Sequence, residues 1–347
     1  MLAVVYDRPR GLPEVRDIDP PRCPEDGVVV EVRATGVCRS DWHAWAGHDP
    51  VPLPMVPGHE LAGRVHEVGA GVTSWKAGDR VTVPFVLGCG KCEYCVAGDQ
   101  QVCPHQSQPG FTYPGSWAER VAVPAAESNL VRLPDAVGYV AGASLGCRFA
   151  TAFRALCTHG RVAAGQVVVV HGCGGAGLAA VMIAKALGGR VVAVDVSERA
   201  RRFAAELGGD DLIDPTATPD VAGRVHELTG GGAHVSIDAV GSPAVAAASV
   251  RCLRRRGRHV QVGLLLGADA TAGLPMDLVV ARELEILGSH GMPAGDYPAM
   301  LGMIARGELD PERLVRSVID LGDAPAALMG MDQLSAGLGM TVISAGA

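Results

Sequence analysis

The sequence predicts an α/β protein with two domains, one irregular and rich in β-strands and one built on a doubly wound parallel sheet. A chain of 347 residues is longer than one ordinary hydrophobic core accommodates. Up to about residue 148, short apolar segments are separated by glycine and proline, whereas beyond it continuous apolar segments alternate with helical ones. Such alternation is typical of a parallel sheet covered by helices on both faces.

The first domain is predicted over residues 1–148, from short strands bounded by turn residues. Four prolines between Pro50 and Pro57 exclude long helices from that region. The tail, residues 290–347, is too short to form a domain alone, so we expect it to complete the first. Its predicted elements are a helix at Tyr297–Arg306 and a strand at Met340–Ile343. The other predicted strands are Val28–Ala34, Gly63–Val68, Arg80–Val83 and Ala118–Val123.

The second domain is predicted over residues 149–289, where apolar strands alternate with helices. The predicted strands are Val167–His171, Arg190–Asp195, Asp211–Ile213, His234–Ala239, Arg258–Val262 and Leu284–Leu287. The predicted helices are Gly177–Leu187, Glu198–Leu207 and Pro243–Leu253.

Composition excludes several classes of partner. The net charge of −7 argues against nucleic acid or an anionic membrane as the main partner. The chain has neither a signal-peptide pattern at its start nor an apolar run long enough for a membrane span. We therefore expect a cytoplasmic protein, in which the ten cysteines serve metal binding rather than disulfides.

A glycine-rich segment predicts a dinucleotide site. Gly172, Gly174 and Gly177 have GxGxxG spacing, with Gly175 and Ala176 inside it. The motif alone is weak, but here it follows a buried strand, opens a helix and precedes an acid at the end of the next strand. The first glycine permits a tight turn, the second lets the backbone approach a pyrophosphate, and the helix N-terminus offers free N–H groups to it.

The acid at the end of the next strand, Asp195, favours NAD over NADP. Its carboxylate can accept hydrogen bonds from the adenosine ribose, and its charge would repel a 2′-phosphate. Three arginines on the following predicted helix leave NADP open, because one of them could bind that phosphate; they are Arg199, Arg201 and Arg202.

Four cysteines predict a closed metal site. Their spacing is C-x2-C-x2-C-x7-C in a polar loop, at Cys89, Cys92, Cys95 and Cys103. Four thiolates can surround one tetrahedral ion with no open position, as in a structural zinc site. An iron–sulfur cluster also uses clustered cysteines, but the predicted dinucleotide-binding half favours zinc.

A second group of ligands lies in the segment from Cys38 to Glu60. It combines a thiolate, an imidazole and carboxylates, a mixture suited to zinc, with proton carriers beside them. These residues are Cys38, Ser40, Asp41, His43, His59 and Glu60. The best candidate for a further ligand is Cys147, near the domain junction. With an open fourth position, zinc there would make an alcohol hydroxyl far more acidic.

These motifs together give a specific resemblance over essentially the whole chain. The sequence resembles the zinc-dependent, medium-chain alcohol dehydrogenase family in the segments CRSDWH, GHE, GDRV, the four-cysteine loop ending CPHQ, GCRFATAF, HGCGGAGL and VVAVD. The resemblance implies a GroES-like catalytic domain and a Rossmann domain with the active site between them. It also implies hydride transfer between NAD and an alcohol or its carbonyl, with two zinc ions per chain.

The resemblance further implies roles for individual residues. Catalytic zinc would be held by Cys38, His59 and Cys147, with water or Glu60 as the exchanging fourth ligand. Asp41 would orient His59, Arg39 would contact the pyrophosphate, and Thr151 would lie against the nicotinamide. Ser40 would accept the substrate's proton and pass it through the cofactor ribose to His43. Phe85, and His48 or Asp49, fall where the family places the substrate pocket, although ordinary packing explains them equally well.

One departure from the family pattern concerns phosphate binding. The family commonly has Gly-Arg before its last strand, and the arginine helps to hold a phosphate. Here the pair is Gly339-Met340, so we expect cofactor affinity to depend more on Arg39. Family members of this length are commonly homotetramers and longer ones homodimers, which implies a homo-oligomer.

Two other functions stay open at this stage. One is a polyol or amino-alcohol dehydrogenase of the same family, which would need polar residues in the substrate pocket. The other is a non-catalytic protein that binds NAD and zinc, such as a redox sensor. The intact Ser40 and His43 argue against it, because a protein without catalysis needs no proton relay.

Overall fold

The structure is a computed structural model that describes residues 1–271, 273–332 and 338–344. The remaining residues of the tail predicted to complete the first domain lie outside the described part. The chain divides into two compact units, Met1–Ala150 with Gly291–Ala347, and Thr151–His290. Among the described residues, every helix is too short or too polar to cross a bilayer.

The first unit is built on a seven-stranded sheet whose longest strand is Val28–Val37. That strand pairs antiparallel with Leu61–Val68, Arg120–Val123 and, from the C-terminal tail, Met340–Ser344. Alternate residues Val28, Val30 and Val32 pack into a core of apolar side chains. The tail therefore contributes strands to the sheet of the first unit. Val315–Ile319, Arg80–Thr82 and Val131–Arg132 complete the sheet, and Leu2–Val5 pairs with Glu14–Asp17.

The helices of the first unit are short. Arg39–Ala46 begins directly after the longest strand, with Cys38 as its N-terminal cap, and ends at Gly47, whose φ of 82° requires a residue without a β-carbon. The long strand and this helix thus place Cys38 at a fixed corner of the fold. The other α-helices are Glu93–Val96, Ala126–Asn129, Tyr139–Ser144, Tyr297–Ala305 and Ala324–Gly330. A wider helical turn of the π type, Leu145–Phe149, follows the helix Tyr139–Ser144 directly.

The second unit is built on a six-stranded sheet in which all neighbours are parallel. The strand Val167–His171 lies inside it and is buried along its whole length, as an uninterrupted apolar run predicts. This confirms the predicted α/β class, and the strand order is that of the Rossmann fold. In spatial order the strands are Asp211–Ile213, Arg190–Val194, Val167–His171, Ala233–Asp238, Leu253–Gln261 and Glu285–Gly288.

Helices connect these strands. The first full helix, Gly175–Ala186, starts in the glycine-rich segment and is buried over most of its length because its residues are almost all small or apolar. Ser197 and Ser242 cap the helices that follow them by accepting a backbone hydrogen bond. The other α-helices are Ala150–Arg154, Glu198–Glu206, Val221–Thr229, Pro243–Arg251 and Met276–Arg282.

Candidate functional site

The structure brings the four loop cysteines together. Their sulfur atoms all lie within 4.8 Å of one another, and the cysteines form no disulfides. The sulfur of Cys103 accepts backbone hydrogen bonds from Cys89 at 3.4 Å and His105 at 3.3 Å. Backbone N–H groups of Lys91 and Cys92 lower the pKa of Cys89 to about 6. The loop therefore stabilises the thiolate of Cys89, whereas burial raises the pKa of Cys95 to about 12. The arrangement of the four sulfurs fits a tetrahedral zinc.

A second cluster of ligands is buried in the same unit. Ligand atoms of Cys38, His59, Glu60 and Cys147 lie within 4.8 Å of one another. Cys38 caps the helix Arg39–Ala46, His59 and Glu60 precede the strand Leu61–Val68, and Cys147 lies in the wider turn Leu145–Phe149. A hydrogen bond from Cys147 holds the pKa of Cys38 well below its usual range, against the effect of burial.

One ring nitrogen of His59 is hydrogen-bonded to a carboxylate, and the other has no partner among the described residues. Nδ1 lies 2.9 Å from Oδ1 of Asp41, whereas Nε2 is buried without a hydrogen-bond partner among the described residues. Burial alone lowers the pKa of His59, but the Asp41 carboxylate raises it well above its ordinary value. A buried nitrogen without a partner is costly, and a metal ion on Nε2 would supply one. The residues therefore fit a zinc ion.

Asp41 also fixes the backbone around this cluster. Its Oδ2 accepts a hydrogen bond from the backbone N–H of Cys38 at 3.0 Å, and Oδ1 accepts one from Gly58 at 3.1 Å. One buried carboxylate thus connects the segment that carries Cys38 with the segment that carries His59. Rings of Phe85 and Phe111 pack edge-on against His59, with centroids 6.0 and 5.3 Å away.

The carboxylate of Glu60 is held by an arginine that the sequence analysis did not assign. Arg148 donates to Oε1 from its backbone N–H at 3.2 Å and from Nε at 3.1 Å, and to Oε2 from Nη2. Glu60 is fully buried, and the Arg148 side chain is 11% exposed. Burial raises the pKa of Glu60, and the Arg148 charge opposes that rise. The only signal in the sequence was a charged residue next to a ligand cysteine inside an otherwise apolar segment.

The predicted proton carriers lie along the helix Arg39–Ala46. The Oγ of Ser40 is 3.8 Å from the Cys38 sulfur. His43 directs Nδ1 at Nδ1 of His48, 3.2 Å away, and His48 is exposed. Burial, followed by the charges of His48 and Arg39, lowers the pKa of His43. The structure thus connects His43 to the surface through His48, which sequence reasoning placed only among possible pocket residues.

Arg39 and the C-terminal departure also lie in the first unit. The Arg39 guanidinium donates to the carbonyl of Met331 at 2.6 Å and lies over the Trp42 ring, 4.7 Å from its centroid. Met340, at the position of the family's arginine, is buried in the sheet.

The glycine-rich loop of the second unit has the backbone that its sequence predicts. Gly172 has a φ of 90°, and a β-carbon on Gly177 would lie 1.7 Å from the carbonyl oxygen of Gly172. Around Gly174, in contrast, a β-carbon would meet nothing within 4 Å, which leaves open space on that side of the loop. Gly175 and Ala176 form the first turn of the helix Gly175–Ala186. Thr151 is buried in the helix Ala150–Arg154.

Asp195 lies beside this loop and anchors it. Its Oδ2 accepts a hydrogen bond from the backbone N–H of Cys173 at 2.6 Å, and Oδ1 accepts one from Ser197 at 2.7 Å. Of the three arginines, Arg201 pairs with Asp214 at 2.9 Å and Arg202 pairs with Glu198, while Arg199 is exposed.

Comparisons with known proteins agree with this arrangement. Residues 24–135 match the family of the alcohol dehydrogenase GroES-like domain, and residues 175–306 match the zinc-binding dehydrogenase family. An alcohol dehydrogenase of Geobacillus stearothermophilus is 35% identical over 89% of both chains. A sorbitol dehydrogenase of Halalkalibacterium halodurans is 35% identical over 83% of both chains. The solved structure of the alcohol dehydrogenase TADH from Thermus sp. ATN1 has a TM-score of 0.92 at 28% identity, covering 99% of both chains.

Proposed function

We infer the reaction of this chain from its family, because it belongs to the zinc-dependent, medium-chain alcohol dehydrogenases. It is an oxidoreductase that transfers a hydride between NAD and a primary or secondary alcohol, or the corresponding aldehyde or ketone. The observation that carries this conclusion is the buried cluster of two sulfurs and an imidazole whose Nε2 has no protein partner among the described residues. Such a donor set suits zinc with one open position.

We propose that Cys38, His59 and Cys147 hold the catalytic zinc, and that the four loop cysteines hold a second, structural one. When bound, the catalytic zinc makes an alcohol hydroxyl more acidic or polarises a carbonyl, and NAD carries the hydride. Asp41 orients His59 and, through the backbone of Cys38 and Gly58, keeps the ligand-bearing segments together.

We propose that Ser40 accepts the proton of the substrate hydroxyl and that His43 releases it. The contact between His43 and the exposed His48 supports a path to solvent through both imidazoles. An imidazole suits this step because its pKa lies near neutrality.

For the dinucleotide, we propose that the loop from Gly172 to Gly177 binds the pyrophosphate and that Asp195 binds the adenosine ribose. Arg39 would contact the pyrophosphate, and Thr151 the nicotinamide. The negative charge of Asp195 favours NAD over NADP, and the ion pairs of Arg201 and Arg202 support this preference.

A polyol substrate is the second candidate, because the sorbitol dehydrogenase of Halalkalibacterium halodurans is as similar in identity as the alcohol dehydrogenase of Geobacillus stearothermophilus. We also propose that the protein is a cytoplasmic homotetramer or homodimer, with a small-molecule substrate and neither nucleic acid nor a membrane as partner. Light scattering that gave a monomer would contradict the assembly.

The test is formation of NADH, followed by its near-ultraviolet absorbance. The assay uses NAD or NADP with primary, secondary, aromatic and polyhydric alcohols, and a parallel sample treated with a chelator. We expect turnover with NAD that the chelator abolishes, and the ranking of alcohols separates the simple-alcohol and polyol candidates. Protein that holds two zinc ions per chain and turns over no alcohol would contradict the proposed reaction.

A further inference from the structure

Arg148 and Glu60 form a buried ion pair inside the metal-ligand cluster. Both oxygens of Glu60 accept hydrogen bonds from the guanidinium, and Oε1 also accepts one from the Arg148 backbone. Every described hydrogen bond to this carboxylate comes from Arg148. The lone pairs that Glu60 would offer to a metal are therefore directed at a competing cation.

The surroundings confine the Glu60 carboxylate. A β-carbon on Gly36, in the longest strand, would lie 2.1 Å from Oε2 of Glu60, and one on Gly146 would lie 3.1 Å from its Cα. The carboxylate thus lies where a side chain on Gly36 would be, and Gly146 packs against the backbone of the same glutamate.

Arg148, in contrast, has space beside it. It borders a cavity of about 260 Å³ whose other walls include Val37, Met331, Gly339 and Thr341. Gly339 is the residue before Met340, which occupies the position of the family's arginine. The Arg148 side chain therefore borders open space, and its replacement would remove the source of every described hydrogen bond to the Glu60 carboxylate.

We propose that Arg148 is a positioning residue that keeps Glu60 off the catalytic metal and so leaves the fourth position open to substrate. A buried carboxylate without a partner cation is strongly unfavourable. Without Arg148, the remaining cation for Glu60 is the metal, which lies within reach because the ligand atoms of the cluster are within 4.8 Å of one another. Glu60 would then occupy the open position. This inference rests on the proposed function, since it requires a metal on Cys38, His59 and Cys147.

The test compares cobalt-substituted proteins, because the visible absorption of Co²⁺ depends on the number and type of its ligands. The parent is compared with Arg148→Met, Glu60→Gln and the double variant, each with its cobalt content measured. The four-cysteine site contributes equally to all of them, so difference spectra report the other site. We expect Arg148→Met to change the spectrum, and the double variant to regain the spectrum of Glu60→Gln.

A kinetic measurement accompanies the spectra. We expect Arg148→Met to raise KM for the alcohol about tenfold, because Glu60 competes with the substrate, and the added Glu60→Gln to reverse most of that rise. If Arg148→Met does not fold, Arg148→Gln serves in its place, since glutamine removes the charge but keeps an amide N–H₂ group that can donate a hydrogen bond.

The outcomes separate this inference from the proposed function. A spectrum of Arg148→Met equal to that of the parent, with two cobalt ions per chain, would overturn the role of Arg148 while leaving the metal site intact. A change that persists in the double variant would also overturn it, because the change would not pass through Glu60. Parent protein that takes up one cobalt ion per chain, together with a Cys103→Ser variant that takes up none, would contradict the proposed catalytic metal itself.

Discussion

The Asp41 carboxylate lies 2.9 Å from Nδ1 of His59 and leaves Nε2 of that imidazole without a hydrogen-bond partner among the described residues. This contact fixes the ring and its tautomer, because Nδ1 must donate to the carboxylate when His59 is neutral. A ligand that is oriented before the metal arrives loses less conformational freedom on binding. Asp41 should therefore determine how well the site retains zinc.

We expect Asp41→Asn to weaken zinc retention at this site by roughly 10- to 100-fold, the usual loss when the partner of a histidine ligand is changed. The measurement is the rate at which a chelator removes zinc, with the four-cysteine site as an internal reference. Asp49→Asn is the matched control, because Asp49 is an exposed aspartate shortly after the same helix. Equal rates for Asp41→Asn and the parent would contradict the role of Asp41.

The four-cysteine loop should lose its metal when one ligand is removed. We expect Cys103→Ser to hold one zinc ion per chain instead of two, and to have a lower melting temperature, because a structural zinc contributes folding free energy directly. Cys23→Ser is the control, since that half-buried cysteine lies outside both clusters. Elemental analysis that still found two zinc ions in Cys103→Ser would refute the assignment.

The choice of dinucleotide should depend on Asp195. When asparagine replaces Asp195, it should depend on Arg199. We expect Asp195→Asn to lower kcat/KM for NAD about tenfold or more and to raise it for NADP, because a charge that repels the 2′-phosphate is removed. Adding Arg199→Ala should cancel the gain with NADP. Adding Arg202→Ala should not, because Arg202 is paired with Glu198. A gain that survives Arg199→Ala would show that another group binds the phosphate.

The sequence predicted those parts of the fold in which one physical signal dominates. The strand Val167–His171 and the glycine loop after it were predicted because a continuous apolar run and the close approach of Gly177 to Gly172 leave few alternatives. The strand predicted to start at Arg258 begins instead at Leu253. Three consecutive arginines, Arg254 to Arg256, interrupt the apolar pattern in the first half of this strand. In the structure Leu253 is nevertheless aligned with Ala233 of the neighbouring strand.

Other elements were missed because their sequence signal is weak or because they depend on residues far away in the chain. The helix Val221–Thr229 contains Gly223, a poor helix former, and is started by the side chain of Asp220, which accepts the Gly223 N–H. The strand Val315–Ile319 is mostly exposed and exists because it pairs with Met340–Ser344. The contact of Arg148 with Glu60 could not be predicted from the sequence, because the two residues are 88 positions apart in the chain. The four-cysteine cluster, in contrast, followed from residue type and spacing, whereas the ligand set of Cys38, His59, Cys147 and Glu60 was implied by the resemblance to the family.

The contact between His43 and His48 predicts a shift in the pH dependence of turnover. His43 must be neutral to accept a proton during alcohol oxidation, so the rate falls below its pKa. Burial lowers that pKa most, and the charges of His48 and Arg39 lower it further. We expect His48→Asn to raise the pKa of His43. The acid limb of the pH profile of kcat should therefore move to higher pH. His66→Asn, at an exposed histidine elsewhere in the unit, should leave the limb in place, and an unshifted limb in His48→Asn would contradict the coupling.

Acid should destabilise the second unit through His171. Burial, assisted by the nearby His259, lowers the pKa of His171 to about 3, whereas the unfolded chain has a histidine pKa of about 6.5. The unfolded state therefore binds a proton more readily, so the stability contributed by neutral His171 is complete above about pH 6.5 and is lost as the pH falls toward 3.

Between pH 7 and pH 5 this loss amounts to about 2 kcal/mol, from 1.36 kcal/mol for each pH unit below about 6.5. We expect His171→Gln to be less stable than the parent at pH 7 and to lose correspondingly less stability on acidification to pH 5, because glutamine does not titrate. Urea denaturation at the two pH values measures the difference. His226→Gln, on a helix of the same unit, should retain the full dependence, because its imidazole is not deeply buried. If the stability of His171→Gln falls with pH as much as that of the parent, protonation of His171 does not cause this loss of stability.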